Sequence, residues 1–339
     1  MYILGINESH GKNWALLKDG RIISQGDTGI RTEDIDLIVF GFRGDPNPPY
    51  GVQTKAFLER YVPPVPYEML TRTVRHILWP LLVQYHQRQL SKILKYPQEK
   101  IILLDHHTAH AYAAFYSAPK KGKHLVITND GMGEEYCGKV FVVSDNLFHE
   151  IASTPNRFSL AYLYYYVTKY LGFVPNRDEA RVMKLAGVLT RMDAYERLRE
   201  ILWNDGLSFA GSIPRLGYYH YIKKNLARFS KKEIASAIQT LVEELVATQV
   251  KNAIQKTGIR SIYLGGGLAA NSKANQKIKQ LPEVESLHIC PNPGDTSTAI
   301  GASYWGYSLL RSQIKSGYKN GSASLRSDRG IYFVRRPRL

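Results

Sequence analysis

Three histidines fall within the stretch Leu103-Leu104-Asp105-His106-His107-Thr108-Ala109-His110. The apolar run Ile101 to Leu104 predicts a strand, and Ala109 to Phe115 predicts a helix. A helix starting near His106 sets His106 and His110 at i and i+4 on one face, where two imidazoles can ligate one metal ion. The same spacing also suits a helix-start cluster that only caps and packs. Asp130 and Asp295 each follow a predicted strand, with glycine beside them. Carboxylates in that position face the crevice of an open α/β sheet; an Asx-turn is the alternative. Two imidazoles and two carboxylates suit iron(II), manganese or zinc, rather than calcium or a thiolate-bound structural zinc.

A second candidate site is Gly265-Gly266-Gly267 with Asn271, set between the strand Ile262 to Leu264 and a helix from about Ser272. Glycines let a ligand approach the backbone, and a helix start presents free N–H groups to an anion. Phosphate or adenosine binding and a tight structural turn both fit this run, which is neither a Walker loop nor a dinucleotide fingerprint.

These residues need elements to hold them. Strands are predicted at Tyr2 to Ile6, Trp14 to Leu17, Arg21 to Ile23 and Leu37 to Phe40, with Asp19-Gly20 as a hairpin turn. Gly41 to Pro66 reads as a long loop, and Tyr67 to Lys95 as a basic helix interrupted at Pro80. His124 to Thr128 is a strand that enters Asn129-Asp130-Gly131-Met132-Gly133-Glu134, and Tyr136 to Val143 is another. Strand, polar glycine-containing turn, strand thus occurs here and at the N-terminus, an echo that suggests two similar halves. Phe158 to Leu171 is an aromatic helix suited to packing or to stacking on a substrate sugar. Arg191 to Lys232 is poorly periodic and yields no functional reading. Ile234 to Gln255 is an amphipathic helix with Ile238, Leu241, Leu245 and Thr248 on one side. His288 to Cys290 is a last strand, and Ser297 to Leu310 a small-residue helix.

The 339 residues allow two domains sharing a cleft, and 44% hydrophobic residues allow proper cores. Lys plus Arg is 45 and Asp plus Glu is 29, so the net charge of +16 favours polyanionic ligands. Part of that charge lies in a tail from Arg311 onward, which reads as solvated, with Ile331 to Val334 able to add a strand or dock on a partner. Cys137 and Cys290 follow no metal or redox spacing and suggest a reducing compartment. No basic n-region opens the chain and no apolar run reaches membrane-spanning length, so the expectation is a soluble cytoplasmic protein with no membrane partner.

Five motifs in order give a resemblance: His-His-x-x-His-Ala at His106, Asp-Gly-x-Gly-Glu at Asp130, Val-Met-x-Leu-Ala at Val182, Gly-Gly-x-Ala-x-Asn-x-x-x-Asn ending at Asn275, and Pro-x-x-Gly-Asp ending at Asp295. From Tyr2 to Tyr304 the chain resembles the O-carbamoyltransferases of nodulation-factor and antibiotic tailoring and, more distantly, the tRNA threonylcarbamoyl-adenosine transferases. The resemblance implies an α/β fold of two ribonuclease-H-like subdomains, of the actin, sugar-kinase and chaperone-ATPase type, with a nucleotide cleft between them. The subdomains would be residues 1–119 and 120–312, the last helix crossing back to the first, followed by a basic tail, 313–339. It implies metal ligation by His106, His110, Asp130 and Asp295. Nucleotide contacts are implied at Gly265, Gly266, Gly267, Asn271 and Asn275, with Gly131, Gly133 and Arg181 nearby. The family's His-Asp-Ser turn is His10-Gly11-Lys12 here, and its Glu-x-Lys-Val-Met-Gly-Leu is Glu179 to Leu185 with Lys184 in place of glycine.

The implied activity is metal-dependent carbamoyl transfer from carbamoyl-adenylate to a hydroxyl, or an amine, of a small-molecule acceptor in natural-product biosynthesis. His10 or His107 is the candidate to accept the proton. Full-length relatives continue into an adenylate-forming domain, so a separate adenylate-forming protein is an expected partner. Two other classes fit the same fold: a kinase or ATPase using ATP, and a non-catalytic subunit associated with nucleic acid.

Overall fold

The computed structural model describes residues 1–8, 12–24, 31–42, 83–118, 122–315, 323–327 and 330–334. His10, nearly all of the 41–66 loop and much of the 67–95 segment lie outside the described residues; residues 83–94 of that segment are helical.

Two five-stranded sheets make the frame. The first contains β1 (Tyr2–Asn7), β2 (Asn13–Lys18), β3 (Arg21–Ser24), β4 (Leu37–Phe40) and β5 (Ile101–Leu103), in the order β3-β2-β1-β4-β5. The second contains β6 (His124–Asn129), β7 (Tyr136–Ser144), β8 (Leu147–Pro155), β11 (Ser261–Gly265) and β12 (Ser286–Ile289), in the order β12-β11-β6-β7-β8. Numbered within each half, both orders are 3-2-1-4-5. In both, strand 1 pairs antiparallel with strand 2 and parallel with strand 4. The echo between the two strand-turn-strand segments is therefore a repeat of topology. β8 is an element not expected from the sequence, although the turn before it is marked: Asp145 and Asn146 both have positive φ, +53° and +63°. Short polar side chains tolerate that conformation in a two-residue hairpin turn.

The helix after the fifth strand of each half, His106–Tyr116 in the first and Thr296–Lys315 in the second, runs through the middle of the molecule. One side of the His106–Tyr116 helix joins the first sheet's core through Ala109, with Ile3, Val39 and Leu104. Its other side, Ala111, Ala114 and Phe115, packs on Val126, Phe141 and Tyr263 of the second sheet. Small residues let the elements meet. A Cβ on Gly301 would lie 1.8 Å from the carbonyl oxygen of Ala109, and one on Gly5 would lie 1.9 Å from that of Ala299. The last helix is thus locked both to its counterpart and to the first sheet.

The other face of the second sheet carries the largest core, built on the helix Lys231–Thr257. Ser230 and Glu233 form a capping box at its start, and Gly258, at φ +72°, ends it. The expected amphipathic stripe is corrected here: Thr248 is exposed, while Gln239 and Gln249 are buried. The helix is covered on most sides because 192–226, which lacks clear periodicity, folds over it as two helices and a hairpin of β9 (Leu202–Asp205) and β10 (Ser208–Gly211). Beyond residue 322 the described tail is a separate two-stranded ladder, Ala323–Ser327 with Gly330–Val334. Among the described residues no helix is long and apolar enough to cross a membrane.

Candidate metal centre

Asp105 ends the first sheet's chain path and caps the histidine helix, its Oδ1 accepting from the Thr108 N–H at 2.9 Å. Lys139 of β7 reaches the same oxygen at 3.1 Å and Glu150 Oε2 at 2.9 Å, so a buried lysine ties the cap to the second sheet. The His106 N–H donates to Glu134 Oε2 at 3.1 Å. With the helix start held, His106 and His110 project from one face, both buried, their Nε2 atoms 3.1 Å apart.

Asp130 comes from the turn after β6. Its Oδ1 accepts from the adjacent Gly131 N–H at 2.6 Å, while Oδ2 lies 2.9 Å from His110 Nε2 and 3.7 Å from His106 Nε2. The contact to Gly131 reaches only the next residue, so it is not the two-residue Asx-turn bond considered as the alternative. Asp295 immediately precedes the last helix, with Oδ1 3.5 Å from His106 Nε2 and 3.7 Å from His110 Nε2. One donor atom from each of the four residues lies within 4.8 Å of the others.

The orientation fits a cation. Asp130 Oδ2 is buried and makes no aligned hydrogen bond, although His110 Nε2 is close by. The four donor atoms crowd together, the two Nε2 atoms 3.1 Å apart and Asp130 Oδ2 2.9 Å from one of them. Nδ1 of His110 contacts Ser297 Oγ at 3.2 Å, and that hydroxyl donates to the Gly294 carbonyl at 2.9 Å, which fixes the ring with Nε2 inward. Burial favours neutral His106, but the hydrogen bonds and charges of Asp130 and Asp295 outweigh it and hold the ring's pKa well above the usual histidine range. Burial likewise opposes ionisation of Asp130 and Asp295, yet their close polar contacts with His106 and His110 prevail and hold both carboxyls below the usual range.

His107 does not join this set. Its Nδ1 contacts Thr128 Oγ1 at 3.0 Å and its Nε2 contacts the Tyr136 carbonyl at 2.9 Å. Burial first, and the nearby His106 charge second, lower its pKa to about 3. The ring joins the histidine helix to β6 and β7, and its two nitrogens are already engaged. The proton-accepting role considered for it therefore loses its geometric basis; His10, the other candidate, lies outside the described residues.

The glycine run borders the cluster. A Cβ on Gly265 would stand 3.1 Å from the His110 carbonyl oxygen, one on Gly266 2.4 Å from the Asn129 oxygen, and one on Gly267 3.1 Å from Asp130 Oδ1. Gly266 also has φ +81°. These glycines are required for packing against the ligand-bearing turn and leave their backbone at its edge. The asparagines are tied locally: Asn271 caps the helix Ser272–Lys279 and exchanges two hydrogen bonds with Gln239, at 3.0 and 3.1 Å, while Asn275 donates to the Ala269 carbonyl at 2.8 Å. Gly133 packs against the Tyr136 carbonyl and the His107 ring, and Gly131 against Tyr162. Arg181 lies apart from the cluster, paired with Asp178 at 3.4 Å and stacked on Phe173. Ser297, Glu134 and Lys139 were not singled out as site residues in the sequence. Of these, Glu134 stands inside the Asp-Gly-x-Gly-Glu motif, whereas nothing local marks Lys139 or Ser297.

Two 3-2-1-4-5 sheets whose fifth-strand helices meet beside the His106, His110, Asp130 and Asp295 cluster define the actin, sugar-kinase and chaperone-ATPase class of fold. In agreement, full-length HypF in its phosphate- and nucleotide-bound form superposes with a TM-score of 0.52 at 13% identity, over 91% of this chain and 46% of that one. Within that class the chain belongs to the family described as carbamoyltransferase N-terminus, matched over residues 19–304. It is 26% identical over 317 residues to the nodulation protein NolNO of Sinorhizobium fredii, covering 89% of this chain and 44% of that protein. It is 25% identical over 218 residues to the tRNA N6-adenosine threonylcarbamoyltransferase of Enterococcus faecalis, covering 60% of each. The chain thus spans less than half the length of NolNO.

Proposed function

We propose that the chain carries out carbamoyl transfer from a carbamoyl-adenylate to a hydroxyl, less readily an amine, of a small-molecule acceptor. The observation that carries this reading is the convergence of His106, His110, Asp130 and Asp295 beside the glycine run, in a chain of the carbamoyltransferase family. Those four side chains would hold iron(II), manganese or zinc, which supplies Lewis acidity toward carbonyl or phosphate oxygens.

The chain's own residues do the rest. Gly265 and Gly266 are buried against the His110 and Asn129 backbone, and half-buried Gly267 beside Asp130 is where a nucleotide phosphate can approach the run without meeting a side chain. Ser297 fixes the His110 ring. Lys139 and Asp105 fix the start of the histidine helix. Rigid donors of this kind lower the cost of organising the site around developing negative charge. Arg181, exposed and paired with Asp178, has no role in this account. Formation of the adenylate is assigned to an activity outside these residues.

The test is to supply metal-loaded protein with preformed carbamoyl-adenylate and a panel of acceptors, following AMP release and the mass gain of the acceptor. Carbamoylated product with stoichiometric AMP is the expected result. Transfer of labelled γ-phosphate from ATP to the acceptor overturns the reading in favour of a kinase. Turnover of carbamoyl phosphate and ATP by this chain alone overturns the assignment of adenylate formation elsewhere.

A further inference from the structure

The helix Leu160–Tyr170 begins against the turn that carries Asp130: Ser159 Oγ, its N-cap, donates to the Gly131 carbonyl at 2.8 Å. The first exposed turn of that helix presents Tyr162, whose ring edge lies 3.4 Å from where a Gly131 Cβ would be. Arg215 enters from the segment after β10, in a stretch with no clear periodicity or motif. Its guanidinium stacks on Tyr162 at 4.5 Å from the ring centre. Nη1 makes a weak 3.5 Å contact with Met132 Sδ, two residues from Asp130, and the buried Nε has no hydrogen-bond partner. Among the described residues Arg215 forms no ion pair. Exposed arginines commonly lack partners, but this one is half-buried, held flat by an aromatic ring, and placed on the turn of a metal-ligand candidate.

We propose that Arg215 and Tyr162 form an oxyanion-binding subsite beside Asp130, one that takes a phosphate or carboxylate group of a reactant. A planar guanidinium offers a fork of N–H donors matched to such groups, and stacking on tyrosine orients the fork. Charge balance supports it. Two aspartates cancel a divalent ion, so the cluster as a whole offers an incoming anion no net counter-charge, and Arg215 supplies it. The anion has two sources under the proposed reaction: the phosphate of the donor adenylate, or an acidic group on the acceptor. The identity of the anion rests on the carbamoyl-transfer reading, whereas the existence of the subsite does not.

Binding of inorganic phosphate, AMP and adenosine to the manganese-loaded full chain tests it without turnover, by titration calorimetry on wild type and Arg215→Met. Arg215→Met is expected to weaken phosphate by about 10- to 100-fold, the scale of a lost charge-assisted contact, with adenosine unchanged. If AMP weakens in parallel, the subsite serves the donor phosphate; if phosphate weakens and AMP does not, it serves the acceptor. Phosphate and AMP both binding within about twofold of wild type overturns the proposal, as does an equal loss for adenosine. Arg215→Lys keeps the charge without the fork and provides the second variant should Arg215→Met fail to fold. Its phosphate affinity is expected to fall by about tenfold, and wild-type affinity there overturns the bidentate subsite. The result is independent of whether carbamoyl transfer is observed.

Discussion

The two halves of the molecule share one topology and divide the chemistry between them. In the first half, the helix after the fifth strand carries both imidazoles, His106 and His110, within its opening turns. In the second half, the corresponding helix begins directly after a carboxylate, Asp295, and its Ser297 only orients the partner helix's His110. The turn after the first strand of the second half adds Asp130. In the first half, Asn13 at the start of β2 donates from Nδ2 to the Thr296 carbonyl at 2.8 Å. A duplicated frame therefore need not duplicate its site. One half contributes imidazole nitrogens and the other carboxylate oxygens, and neither holds more than two of the four. Ion binding on this arrangement requires both halves and the helix contact that joins them.

The sharpest way to break the comparison is to remove one donor from each half. His110→Ala and Asp295→Ala are each expected to lower metal affinity by more than about 100-fold, beyond what outer-shell changes usually cost. Transfer activity should vanish with the metal, checked by elemental analysis after dialysis and by the transfer assay. Retention of metal by either variant would remove that residue from the centre.

Next comes the joint between the halves. Gly301→Ala forces a methyl into the Ala109 carbonyl, so denaturant unfolding should show a loss of at least about 3 kcal/mol, at the upper end for overpacking. A neutral result means that the two helices separate freely. Lys139→Met should cost about 3 kcal/mol, since it leaves Asp105 and Glu150 without their buried cation. It should also lower metal affinity through the histidine helix, and loss of stability with unaltered metal binding would limit Lys139 to a structural role.

The pH dependence separates protonated from metal-loaded protein. Asp130 and Asp295 have lowered pKa values when folded, so their contribution is present above the unfolded value of about 3.8 and is lost as pH falls through the folded values. His106 has a raised pKa, so its contribution is full below about 6.5 and is lost as pH rises through its folded value. Metal-free protein should therefore gain most from this cluster between about pH 4 and 6.5. The melting-temperature gain on adding metal should grow as pH rises above that window, because ligation needs neutral imidazoles. A gain independent of pH would show that the ion binds elsewhere.

The smallest effect on chemistry is expected at His107. His107→Gln should cost about 1–2 kcal/mol of stability through its two contacts, measured by denaturant unfolding, and leave metal content unchanged. Loss of activity in a stable, metal-replete His107→Gln would restore it as a proton acceptor.

Features with a local signal are legible from residue order. The i,i+4 pair His106 and His110, the strand-turn-strand echo, and the glycine run between a strand and a helix are all set by neighbours along the chain. Their periodicity and turn chemistry need no tertiary contact to be recognised. Strand-end positions beside glycine singled out Asp130 and Asp295 as candidate donors, the resemblance implied the same ligand set, and the fold brings both carboxylates to the two imidazoles. The tertiary structure alone decided what each side chain faces. His107, adjacent to a ligand, is turned to Thr128 and the Tyr136 carbonyl; Thr248 is exposed while Gln249 is buried; and Arg215, in an unpatterned stretch, stacks beside the Asp130 turn. Those outcomes depend on which surfaces meet when two sheets close around one pair of helices, and such long-range contacts leave no period in the sequence.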